Sequence, residues 1–79
     1  MDFTATQAEI LVNAWALSRK GCGQVLMPWA YPDAVELAEV GWLERRSEDD
    51  SPSAWWWTPE AGVALDMDAL RRDQPADMN

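Results

Sequence analysis

The chain has 79 residues, a formal net charge of −8 and no histidine, so there is room for one domain and little attraction to nucleic acid or anionic membrane. The single cysteine, Cys22, excludes an internal disulfide, and without histidine a Cys/His zinc site is excluded too. With 48% of its residues apolar, the chain reads as a folded globule rather than an acidic disordered tail. We expect residues 1–72 to form the domain and 73–79 a flexible tail.

A domain of this size buries only about 60% of the surface its unfolded form exposes, so its core must be rich in large side chains. Six tryptophans supply them. No charged-then-apolar leader and no long apolar run is present, and together with the lone cysteine this predicts a soluble, cytoplasmic protein.

In chain order, Thr6-Gln7-Ala8-Glu9 has the spacing of a capping box. Ile10, Leu11, Ala14, Trp15, Leu17 and Ser18 follow at helical spacing, and Gly21 is a natural stop. A first helix is therefore predicted over residues 7–20. Residues 21–30 (GCGQVLMPWA) read either as a short strand at Val25–Met27 or as a single turn ended by Pro28. Cys22 reads as a passive residue, with no histidine to activate it.

A second helix is predicted from Pro32, with either Pro32 in the first turn or Asp33 as the cap and Glu36 completing a box. Ala34, Leu37, Ala38 and Gly41 make its inward row, and Gly41 closes it in the left-handed conformation. Residues 42–46 and 53–58 read as paired strands joined by an acidic tip. Thr58-Pro59-Glu60 then opens a third helix, with Val63, Met67 and Leu70 facing inward and Arg71 and Arg72 at its end.

The residues Leu37, Gly41, Trp42, Leu43, Glu44 and Arg45, followed by Trp57, Thr58, Pro59 and Glu60, resemble the second half of a winged helix-turn-helix domain. The resemblance covers about half of the chain. It implies an α+β fold with three helices and a two- or three-stranded antiparallel hairpin, the wing. The helix that would meet DNA in that family departs from the pattern. Its only charged residues are Asp33, Glu36 and Glu39, spread over roughly 120° at 100° per residue. The wing tip carries Glu48, Asp49 and Asp50 where phosphate contact would require Lys or Arg.

The six basic residues come as neighbouring pairs, Arg19-Lys20, Arg45-Arg46 and Arg71-Arg72. Two pairs suit helix C-termini, and the third splits across the faces of a strand. Asp66 and Asp68 point about 200° apart on a helix, and no nucleophile with a base or Gly-rich phosphate cradle is present, so no enzyme is expected. Neither cofactor nor metal is expected.

Trp55 and Trp57 face one side of their strand and Trp56 the other. A small hairpin buries one face, so at least one of the three is partly exposed unless the 21–30 segment, the tail or a homodimer covers it. Which face is buried stays open, and exposed tryptophan, with Trp56 as the candidate, is enriched at binding hot spots. Trp15, Trp29 and Trp42 read as core or core-edge residues. The expectation is a small acidic protein-binding module, with Asp33, Glu36, Glu39, Glu48, Asp49, Asp50 and Trp56 meeting a basic surface that holds nucleic acid. In size and charge the chain is similar to small phage inhibitors of the anti-CRISPR type. The alternatives are a winged-helix DNA-binding transcriptional regulator and an assembly subunit with a tryptophan-rich interface.

Overall fold

The structure, a computed structural model, describes residues 3–47 and 53–72. Two overlapping capping boxes compete at the start of the first helix, Thr4–Gln7 and Thr6–Glu9, and the earlier one is used. The Gln7 N–H donates to Thr4 Oγ1 at 3.0 Å, and the Thr4 N–H donates to Gln7 Oε1 at 3.1 Å. Helix α1 accordingly spans Ala5–Ser18, starting two residues before the expected position. The earlier cap is favoured by tertiary contacts: Phe3 lies 5.4 Å from the Trp42 ring, and buried Gln7 donates through Nε2 to Glu36 Oε1 at 3.5 Å. At the other end Gly21, with φ +82°, lets the chain reverse, and Gly21 and Cys22 N–H groups donate to Ser18 O and Leu17 O.

Neither reading of residues 21–30 holds: Val25–Met27 is neither a strand nor a turn, the strand-like contact falls one residue earlier at Gln24, and the helical turn begins at Pro28 instead of ending there. Gln24 exchanges two backbone hydrogen bonds with Trp55, of 2.9 and 2.8 Å, as a one-residue antiparallel bridge. Pro28–Ala30 then forms a 3-10 turn that runs directly into α2, Tyr31–Glu39. No side chain caps α2, so Asp33 does not serve as its cap. Ala34 and Leu37 are fully buried on its inner row. Gly41, at φ +88°, donates to Ala38 O while Trp42 N–H donates to Leu37 O, the reciprocal pair that closes a helix on a left-handed residue.

Strands β1 (Leu43–Arg46) and β2 (Ala54–Trp57) pair antiparallel, with Leu43 opposite Trp57 and Arg45 opposite Trp55. The sheet thus has two strands plus the Gln24 bridge on the free edge of β2. The Leu43/Trp55/Trp57 face packs on α1, and Trp57 N–H donates to Ser18 Oγ at 3.1 Å. Ile10, Leu11, Leu37, Leu43, Trp55 and Met67 are the large side chains of the core.

Beyond β2 the expectation of one helix is corrected. Thr58 caps as foreseen, accepting from Ala61 N–H at 3.4 Å and donating to Gly41 O at 2.6 Å, but helix α3 stops at Ala64 (Pro59–Ala64). Leu65 is extended (φ −127°, ψ 144°), and Asp66 Oδ1 accepts from Ala69 N–H at 3.1 Å to start α4, Met67–Arg72. The fold is therefore α+β with four α-helices among the described residues, not three. The break has a packing reason. It redirects the chain so that Met67 is buried and Leu65 and Leu70 pack against the core, while Val63, expected beside them, is left 90% exposed. No helix among the described residues is long and apolar enough to cross a membrane. The acidic tip with Glu48, Asp49 and Asp50, and the expected tail 73–79, lie outside the described residues.

Candidate functional site

Trp56 sits on the hairpin face opposite the core, with Glu44, Arg46 and Ala54. It is half-buried. The Arg46 guanidinium lies 4.4 Å over its ring and is itself held by Glu44, with Nε to Oε1 at 3.1 Å. The backbone of Gly23 crosses the same face so closely that a Cβ there would stand 2.5 Å from both Ala54 Cβ and Trp56 Nε1. The 21–24 segment is thus the cover that the hairpin needed, and the surface a partner would use on Trp56 is largely taken.

The exposed tryptophan is Trp29, at 71%, where the sequence suggested a core or core-edge residue. Around it the extended segment alternates: Leu26 packs toward the core, while Val25 and Met27 turn outward at 64% and 63% exposure. Pro28 then turns the chain so that Ala30 is buried and Trp29 points away. Val25, Met27 and Trp29 form one wall of a groove of about 160 Å3. Its other wall is Thr6, Glu9 and Asn13, one face of α1 at helical spacing. The signal in the sequence was the period-2 pattern of Gln24–Met27 ahead of a proline, too short to be read without knowing what Leu26 packs against.

Helix α2 continues from Trp29 and carries the predicted acids. Glu36 and Glu39 are exposed on its outward face, between the partly exposed Val35 and Val40, and Asp33 is half-buried at the margin. The helix carries no Lys or Arg. Asp33, Glu36 and Glu39 thus lie on the helix that follows an exposed tryptophan, Trp29, and not beside Trp56.

The basic residues are distributed in a way their pairing did not foretell. Arg45 lies over the rings of Tyr31 and Trp55, at 5.4 and 5.2 Å, and Arg46 is engaged with Trp56 and Glu44. Packing of α4 against α1 brings Arg71 to Arg19 and Lys20, around a shallow concavity of about 480 Å3 floored by Val12, Trp15 and Ala16. Arg19 is stacked 4.8 Å over the Trp15 ring. Cys22 is exposed and free, and among the described residues no three His, Cys, Asp or Glu side chains converge to hold a metal.

No protein-family model matches the sequence, and neither a curated protein nor a solved structure matches it.

Proposed function

We propose that the chain is a small protein-binding module on a winged-helix-like scaffold, acting as an inhibitor that covers a basic, nucleic-acid-binding surface of another protein. The observation that carries this reading is the strip Val25–Met27–Trp29, an exposed aromatic flanked by exposed aliphatic side chains and followed at once by the acidic outer face of α2. Tryptophan and methionine are enriched in interface cores, and a carboxylate rim steers a basic partner toward them. The anchor is thus Trp29, with Asp33, Glu36 and Glu39 as the rim. The order helix, bridge, helix, hairpin supports the scaffold assignment, as does the closure of α2 at Gly41.

The test is affinity capture with the full chain as bait, repeated with Trp29→Ala, with Glu36→Lys/Glu39→Lys, and with mixed-sequence duplex DNA as competitor. A basic protein retained by the native chain should be lost with both variants and displaced by the DNA. Retention unchanged by all three would sink the proposal. A nucleic-acid-binding regulator is the second reading. It is favoured by one observation, the convergence of Arg19, Lys20 and Arg71. It requires direct duplex binding that weakens steeply with added salt.

A further inference from the structure

We infer that the cationic concavity at the end of α1 is a docking site for the α2 face of a second copy of this chain, in a head-to-tail arrangement. Arg19 and Lys20, just past the end of α1, meet Arg71 of α4 there over Val12, Trp15 and Ala16, and among the described residues no carboxylate lines the site. This occurs in a chain with 14 acidic and only 6 basic residues. Among the described residues the single ion pair is Glu44–Arg46, so none of those residues pairs with Arg19, Lys20 or Arg71. The helix dipole does not account for the grouping. The carbonyls of Trp15, Leu17 and Ser18 at the end of α1 already accept backbone N–H groups from the turn that follows, and Arg71 belongs to a different helix.

What would fill the site is an apolar surface bearing carboxylates. The outer face of α2 has that composition, with Val35 and Val40 flanking Glu36 and Glu39. One copy cannot bring the two surfaces together. Glu36 lies beside Gln7, near the start of α1, and the concavity lies at Arg19, roughly 18 Å further along at 1.5 Å per residue. The contact is therefore between copies, and because the two surfaces differ, each copy keeps one of each open. The net charge of −8 on each copy opposes approach at long range. Salt of about 0.1 M, with a Debye length of about 10 Å, screens that repulsion more than it screens ion pairs in contact. Association through this face would occupy the α2 carboxylates assigned above to a basic partner, so the two contacts exclude each other.

Sedimentation velocity of the full chain over a concentration series at that ionic strength tests the inference. The native chain should show a sedimentation coefficient that rises with concentration. Arg19→Glu/Arg71→Glu and Glu36→Lys/Glu39→Lys should each stay monomeric. An equimolar mixture of the two should regain association, because each reversed surface then meets a complementary one. A native chain that stays monomeric, or association that survives in both variants, would overturn the proposal. A monomeric chain that binds duplex DNA, with binding lost in Arg19→Glu/Arg71→Glu, would assign the cations to phosphate instead. Circular dichroism checks folding, and Arg71→Glu alone replaces the double variant should loss of the Arg19–Trp15 stack unfold it. The inference shares the α2 acids with the proposed function but not Trp29. Trp29→Ala should therefore associate as the native chain does while losing the captured partner, which separates the failure of one idea from the failure of the other.

Discussion

Gly23 shows how a single residue ties two distant segments together. Its missing side chain lets the backbone cross the hairpin where Ala54 Cβ and Trp56 Nε1 already stand, and the next residue, Gln24, can then exchange both hydrogen bonds with Trp55. A methyl group at position 23 must displace one of these neighbours. Gly23→Ala should lower stability by about 1–3 kcal/mol, the usual cost of overpacking. Adding Ala54→Gly should recover part of the loss, since it removes the Ala54 Cβ clash and leaves the indole in place. Urea unfolding of the native chain and the two variants checks this, and an undiminished midpoint for Gly23→Ala would mean that the crossing is loose enough to admit a methyl group.

At the scale of elements, the competition between Thr4 and Thr6 has a measurable consequence. Both hydroxyls precede a Glu or Gln three residues on, so short-range spacing alone does not choose between them. The choice follows from what each start does to Gln7. With Thr4 as cap, Gln7 is buried, closes the box and reaches Glu36 on α2. Thr4→Ala should therefore cost about 1 kcal/mol of stability, and Thr6→Ala only a few tenths. A reversed order in denaturant unfolding would place the cap two residues later. The same contest occurs at Asp66. A continuous helix over 59–72 keeps Val63, Met67 and Leu70 in one row, yet the chain breaks at Leu65 and caps again at Asp66 because that buries Met67.

For the whole molecule, the six tryptophans divide between holding the fold and offering a surface. Trp55 is 2% exposed at the centre of the core and lies beneath Arg45. Its Nε1 has no hydrogen-bond partner, so truncation strands no polar group and the cost is the lost ring packing and the cavity. Trp55→Ala should lose about 3–5 kcal/mol. That is a large share of the 5–15 kcal/mol, roughly, that stabilises a domain. Trp29→Ala should change stability by no more than about 0.5 kcal/mol, as surface substitutions do, while abolishing capture of the partner. Chemical denaturation beside the capture assay separates the two roles, and a Trp29→Ala chain that unfolds early would make Trp29 a core residue after all.

The features legible in the sequence were local ones. The closing glycines Gly21 and Gly41, the Thr58-Pro59 helix start, the inward row Ala34–Leu37 and the alternation of Trp55, Trp56 and Trp57 are all set by residues within about a turn of one another. Backbone geometry makes those interactions short-ranged, so their spacing can be read along the chain. The exposure of Trp29, the covering of Trp56, the break at Leu65 and the meeting of Arg71 with Arg19 and Lys20 were decided by tertiary structure. Each depends on which surfaces pack together from positions tens of residues apart, and burial is the non-directional term that outweighs local preference where the two conflict.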